Sequence, residues 1–309
     1  MIKVEETFEI DYLDASGTCE VSRCPAKYLF SRLMGLSLPD KYTIPLDFGT
    51  DMHIAIPFCY KGVGKIDEAL EAFNKAWDVR GYEDDPKRNP DRACAMLENF
   101  AETHSPDICA YKIVNFDIPI PTEEEIGSNE IPFLIDIGGD LLYAGRLDAS
   151  VIWRSTGDLW ALDYKTSGEV SGRYFNNFHN SPQAVGCSLA LQHLSGKPVQ
   201  GMIIEALRVS KTNAENQLVQ IFVQKHQMES YVNFVNRQSS LVKTYNKLKA
   251  WPKHSTGCAP YSMFGTAGYM CEYRDICDCP NWQDGARFYK KEEPWHPFVM
   301  KVGKDSAKT

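Results

Sequence analysis

The 309-residue chain contains no run of about 18 apolar residues, the length a helix needs to cross a bilayer. Its opening residues, MIKVEETFEIDYL, are acidic where an export leader would be basic and then apolar. Both absences lead to the expectation of a cytoplasmic protein with no membrane partner. Excess positive charge is missing too: 33 Lys and Arg face 41 Asp and Glu, a formal net charge of −8. A surface that coats nucleic acid broadly is thereby excluded. A local basic groove is not, because affinity for phosphates follows where the cations sit. The chain shows no internal repeat and no low-complexity stretch, which removes solenoids and tails.

A hydrophobic content of 43% is enough to bury one large core or two modest ones. The 10 cysteines are abundant for a reduced compartment, and where they cluster they suggest metal before disulfide.

Periodicity predicts an α-β-α order. Apolar residues at helical spacing mark helices over 24–36, 48–60, 66–79 and 91–104. Short β-branched or aromatic runs bounded by Gly, Pro or Asn mark strands over 111–120, 130–137, 141–153 and 158–167. SPQAVGCSLALQHL (181–194) reads as a helix entered through Ser181 with Pro182 first. Strands over 201–211 and 217–225 and an amphipathic helix over 227–250 follow. The last sixty residues are rich in Gly, Pro, Cys and aromatics with weak periodicity, as if something other than core packing held them.

The stretch YAGRLDASVIWRSTGDLWALDYKTS (143–167) reads as two strands joined by a Thr-Gly-Asp turn. Alternation along the second puts Asp163 and Lys165 on one face and Leu162 and Tyr164 on the other. Pairing across a turn near Ser155–Asp158 brings Asp148 level with Asp163. Two adjacent carboxylates repel unless one takes a proton or a cation sits between them, and Mg2+ or Mn2+ suits carboxylate, carbonyl and water oxygens. An ammonium beside them can orient or deprotonate a water and offset charge on a phosphate. The plain alternative is a surface ion pair, Asp163–Lys165, with an unrelated Asp148. Arg173, Tyr174 and Phe175, close after this strand, offer a cation and rings for stacking on bases or, equally, for packing on the sheet.

GRLDAS followed fifteen positions on by LDYKTS resembles the Asp…Asp-x-Lys core of the PD-(D/E)XK nuclease superfamily, in its RecB-like exonuclease branch. Three further stretches stand in that family's order. FGTDMH (48–53) resembles its Gly-x-x-x-His helix, SPQAV its glutamine helix, and SRCPAKYLFSRLMGL its opening cysteine helix. The chain departs from it at Cys187, where an aromatic residue is common. The resemblance implies an α/β fold with a restriction-endonuclease-like core: a central mixed sheet flanked by helices, with an N-terminal helical region and a C-terminal cysteine-bound segment. It implies one nuclease domain over 1–309, divided into a helical region (1–110), a catalytic sheet core (111–226) and a long helix with a metal-binding segment (227–309). It further implies that Asp148, Asp163, His53 and the Tyr164 carbonyl hold Mg2+ or Mn2+, that Lys165 acts on the attacking water, and that Gln183 steadies the lysine or the phosphate.

Cys258, Cys271, Cys277 and Cys279 fall within twenty-two residues near the C-terminus, while Cys24 stands alone near the start. Thiolates in fours bind iron–sulfur clusters or zinc. CEYRDIC resembles the end of the iron–sulfur motif in RecB-like nucleases, including those of CRISPR spacer acquisition. Mapped here, it implies a 4Fe-4S cluster on Cys24, Cys258, Cys271 and Cys277, with Cys279 a possible substitute and zinc the alternative metal. The expected protein is a metal-dependent DNA nuclease, an exonuclease on single-stranded or free DNA ends, of phage or CRISPR type, with a helicase, recombination or CRISPR adaptation partner. The alternatives are a catalytically silent nucleic-acid-binding protein and a zinc-stapled interaction protein.

Overall fold

The computed structural model describes residues 1–39, 43–60, 63–78, 82, 85–105, 107–114, 130–254, 271–293 and 295–298. The chain folds into two compact units. One comprises Met1–Lys41, Leu134–Gly145 and Glu229–Pro297; the other comprises Tyr42–Phe133, Arg146–Met228 and Phe298–Thr309. No described helix is long and apolar enough to cross a membrane.

The second unit is a mixed sheet with helices. Helix α1 (Ile44–Cys59) has proline in its first turn and Asp47 near its positive end. Helix α2 (Ile66–Asp78) opens with Asp67 and Glu68 and buries Ile66, Ala69, Phe73, Ala76 and Trp77, three or four residues apart. Helix α3 (Pro90–Thr103) is capped by Asn89, whose side chain accepts from the Arg92 amide at 2.9 Å. Strands β1 (Tyr111–Ile113), β2 (Ala149–Trp153), β3 (Leu159–Ser167), helix α4 (Gly172–Asn176), helix α5 (Pro182–Ser195), and strands β4 (Val199–Arg208) and β5 (Asn216–Phe222) complete it.

The sheet order is β5-β4-β3-β2-β1. All neighbours are antiparallel except β3 and β4, which run parallel. A parallel pair needs a crossover, and α4 and α5 supply it. Trp160, Leu162 and Tyr164 of β3 join one buried cluster with Phe48, Met52 and Ile56 of α1, Phe73 and Trp77 of α2, and Met96, Leu97 and Phe100 of α3. The alternate residues Asp163 and Lys165 therefore lie on the opposite face.

In the first unit Ile2–Lys3 pairs with Ala250–Trp251, Leu36–Ser37 pairs with Lys290–Lys291, and Tyr12–Asp14 runs parallel to Leu142–Ala144. Leu13, Val21, Phe30, Val242, Trp251, Tyr273 and Ile276 form its core. Trp251, Tyr273 and Ile276 of the C-terminal region are thus core side chains. The helix expected over 227–250 spans Lys225–Leu248.

Two expected elements are divided. The helix over 24–36 is Pro25–Tyr28 followed by a π turn, Leu29–Leu33, and a separate helix, Ala15–Arg23, precedes it. Cys24 lies between the two helices in extended backbone, φ −163°, because the residue before a proline is driven out of the helical region. The strand over 141–153 is two strands, Leu142–Leu147 and β2, with Asp148 between them. Of the strand over 111–120, residues 115–120 lie outside the described residues.

Candidate active site

The β2–β3 ladder ends at Ala149↔Leu162, and one further step of the same register sets Asp148 opposite Asp163. Asp148 does not continue the ladder. Its Oδ2 instead accepts the Tyr164 N–H at 2.7 Å, so a side-chain oxygen stands where a backbone carbonyl would otherwise pair. That substitution turns the Asp148 carboxylate toward the middle of β3.

Helix α1 comes close to β3 at Gly49, where an added Cβ would lie 3.0 Å from Thr166 Oγ1. One turn later His53 Nε2 stands 2.9 Å from the Tyr164 carbonyl oxygen, and its Nδ1 is 3.5 Å from Asp148 Oδ2. Both backbone polar groups of Tyr164 are therefore held by side chains of the site.

On the other face of β3, Lys165 Nζ is 2.6 Å from Asp163 Oδ2. Gln183 Nε2 donates to Asp163 Oδ1 at 2.6 Å. Gln183 sits in the first turn of α5, whose N-cap Ser181 accepts from the Ala184 amide at 3.1 Å. The glutamine thus grips the carboxylate, where lysine or phosphate was the expectation. Cys187, one turn on, is buried, and burial together with Asp163 and Asp148 pushes its thiol up, so it stays neutral beside these charges.

Sequence reasoning missed Glu130. His53, Glu130 and Asp148 offer ligand atoms that all lie within 4.8 Å of one another. Arg146 Nη1 is 3.2 Å from Glu130 Oε2. Asp163 is not one of that trio, being engaged by Lys165 and Gln183. The available signal for Glu130 was a carboxylate directly before the alternating strand Ile131–Ile135, whose burial pattern switches at every residue.

Burial, with Asp163 and Glu130 adding repulsion against the pull of His53 and Lys165, pushes the Asp148 carboxyl up to about 6. Burial alone would depress the Lys165 ammonium, yet Asp163 and Asp148 outweigh it and hold it above its ordinary value. Two oxygen donors and an imidazole around a carboxylate reluctant to ionise fit a hard or borderline divalent cation, which Mg2+ and Mn2+ are.

Tyr174 and Phe178 are half-buried and meet edge-to-face at 5.4 Å, and Arg173 is exposed. Lys165 and Asp163 both act electrostatically on the Tyr174 hydroxyl, whose pKa burial raises. Of the two readings open for Phe175, stacking on bases or packing inward, its 3% exposure fits the second: it anchors α4 inward.

In the first unit Cys24 is buried in the core, and Cys271 and Cys277 pack against the same cluster. Cys279 lines a surface cavity with Gly285, Phe288 and Tyr289. Cys258 lies outside the described residues.

The sequence matches the family profile described as the PD-(D/E)XK nuclease superfamily over residues 15–278. No curated protein matches it. Among solved structures it is similar to a protein of Eubacterium rectale named as a candidate exonuclease, at 13% identity and a TM-score of 0.47, over 84% of this chain and 94% of that one.

Proposed function

The chain belongs to the PD-(D/E)XK nuclease superfamily, and from that premise we propose that it is a divalent-metal-dependent deoxyribonuclease of the RecB-like branch, acting as an exonuclease on single-stranded DNA ends. The observation that carries this reading is the pairing of Asp148 and Asp163 at the break between two strands, with Lys165 2.6 Å from Asp163 and His53 3.5 Å from Asp148.

In this reading Asp148, Asp163, His53 and the Tyr164 carbonyl hold Mg2+ or Mn2+, and Glu130 joins them. Once bound, the ion offsets negative charge on a phosphodiester. Lys165, held above its ordinary pKa by two carboxylates, stays protonated at neutral pH. Its work in this reading is to orient water toward phosphorus and to neutralise phosphate charge. The bond formed is water oxygen to phosphorus and the bond broken is phosphorus to the ester oxygen opposite, which leaves with the electron pair; the attacking water gives its proton to solvent, and the departing oxygen takes one from solvent. Gln183 fixes which way Asp163 points. Tyr174, beside Lys165, supplies a ring for the nucleotide next to the scissile bond, and Arg173 a cation for its phosphate.

We further propose a structural 4Fe-4S cluster on Cys24, Cys258, Cys271 and Cys277. The shared cluster around Cys24, Cys271 and Cys277 supports it. So do the bonds that draw residues 252–254 to Cys24's neighbours: the Ala26 amide donates to the Pro252 carbonyl at 3.0 Å, and His254 Nδ1 is 3.0 Å from the Arg23 carbonyl. Cys258 follows four residues later. Soft thiolates in fours suit iron–sulfur clusters, with zinc as the competing occupant.

Labelled single-stranded DNA incubated with the protein and Mn2+ should shorten from an end, and a chelator should stop it. Uncleaved DNA from metal-replete protein would overturn the nuclease assignment; intact ends with internal nicks would overturn exonuclease action alone.

A further inference from the structure

Beneath the site, on the helical face of the sheet, the hydroxyls of three tyrosines are joined. Tyr164 donates to Tyr60 at 2.7 Å, and the Tyr60 and Tyr111 hydroxyls are 2.6 Å apart. Burial pushes all three far above the ordinary tyrosine range, so they remain protonated and able to donate at any working pH. The ring of Tyr60 is boxed edge-on by Phe100 at 5.4 Å and His104 at 5.9 Å. His104 in turn stacks on Phe100 at 3.9 Å and faces the buried Glu205 carboxylate at 3.3 Å. A ring at position 60 therefore has a fixed place whether or not it carries a hydroxyl.

Tyr60 directly follows α1, seven residues after His53, about two helical turns along the same face. Tyr164 meets both: its carbonyl faces His53 Nε2 at 2.9 Å, and its side chain reaches Tyr60 on the helical side. We propose that the Tyr60–Tyr164 hydroxyl pair is a second latch between α1 and β3 that sets the His53 ring against the Tyr164 carbonyl, making Tyr60 a positioning residue for the metal site. The inference rests on that site being a metal site. Without the latch, Tyr164 keeps one hydrogen bond to α1, the His53 contact, beside apolar packing on Phe48, Met52 and Ile56 that is not directional, and a metal that uses both His53 and the carbonyl must then order them itself. The cost appears as lost affinity.

The test uses Mn2+ alone, titrated into the full chain and followed by the loss of the free-ion EPR signal. A buried hydrogen bond contributes enough that Tyr60→Phe and Tyr164→Phe should each weaken Mn2+ binding about five- to tenfold. Because both cut the Tyr60–Tyr164 bond, and the Tyr60–Tyr111 bond that Tyr60→Phe also loses is not part of the latch, the double variant should bind no worse than the weaker single. kcat should fall with KM for DNA unchanged. Tyr111→Phe removes a hydroxyl of the same cluster without cutting the latch, so its melting temperature should fall while its Mn2+ affinity stays within twofold of wild type.

Tyr60→Phe binding Mn2+ as the wild type does, additive losses in the double variant, or an equal loss in Tyr111→Phe would each overturn the latch. Should Tyr60→Phe fail to fold, Tyr164→Phe decides by the same threshold. Wild-type protein that binds no Mn2+ would overturn the metal site first and the latch with it, an outcome distinct from wild-type binding that Tyr60→Phe leaves intact.

Discussion

Lys165 Nζ lies 2.6 Å from Asp163 Oδ2, two residues apart on one face of β3. Asp163 is the leading charge acting on Lys165, yet their proposed roles differ. Asp163→Ala should abolish both Mn2+ binding and cleavage. Lys165→Ala should keep the metal, since it removes a competing cation from the carboxylates, and lose cleavage by about 100-fold or more, the usual scale for a group that orients or stabilises at the reacting centre. Calorimetry with Mn2+ and a cleavage assay separate the two. Full activity in either variant would remove these residues from the mechanism.

Asp148 makes the site pH-sensitive with a definite sign. Its folded-state carboxyl titrates at about 6 against an ordinary 3.8. Below pH 4 both folded and unfolded chains hold the proton. Between 4 and 6 the unfolded chain releases it first, so this group's contribution to stability is lost as pH rises and is gone above 6. Asn cannot ionise and can still accept from the Tyr164 amide. Metal-free Asp148→Asn should therefore be more stable than wild type at pH 7 by about 3 kcal/mol, several degrees in melting temperature, with no such gain at pH 4. In the wild type, Mn2+ affinity should fall about tenfold per pH unit below 6, because the cation must displace that proton. A flat affinity from pH 7 to 5, or an Asn variant less stable at pH 7, would show that the Asp148 carboxyl is not raised toward 6 in the apoprotein.

Asp158 tests selectivity among carboxylates. Its carbonyl accepts the Trp153 amide at 2.9 Å, Gly157 before it takes φ +75°, and its Oδ1 accepts weakly from Gln200 Nε2 at 3.3 Å. The first two shape the hairpin turn, and the third ties it to β4. Asn suits such a turn, so Asp158→Asn should cleave within about twofold of wild type. A loss as deep as that of Asp148→Asn would mean that the ligands have been misplaced.

Alternation made half of this site legible in sequence: from LDYKTS one reads that Asp163 and Lys165 share a face, and the turn count puts Asp148 level with Asp163. Ser181 and Pro182 similarly announce where α5 begins and hence where Gln183 stands. What escaped depends on partners distant in sequence. Nothing local says that Asp148 leaves the ladder to take the Tyr164 amide, that Gln183 bonds Asp163 rather than Lys165, or that Glu130 meets His53 and Asp148. The Tyr60–Tyr164 bond joins residues 104 positions apart and had no motif to mark it. Near the N-terminus the helix over 24–36 does open at Pro25, but the separate helix Ala15–Arg23 before it was not read from the sequence.

Two cysteines compete for the place of fourth ligand beside Cys24, Cys271 and Cys277: Cys258 and Cys279. Cys24 is 3% exposed, and Cys271 and Cys277 share its cluster; Cys279 lies beside Gly285, where an added Cβ would come within 3.2 Å of its sulfur. An iron–sulfur cluster on the first three and Cys258 should make anaerobically purified protein brown, whereas zinc would leave it colourless. Cys24→Ser should bleach it and lower the melting temperature, because the bonds it removes close a loop of more than two hundred residues between Cys24 and Cys258. Cys279→Ser should stay brown. The Asp148–Asp163 hairpin, held by the five-stranded sheet, should remain resistant to protease in both. Colour lost in Cys279→Ser and kept in Cys258→Ser would exchange the fourth ligand. Freshly prepared protein with neither iron nor zinc, or Cys24→Ser unchanged in colour and melting, would leave these cysteines as thiols packed in the core of the first unit.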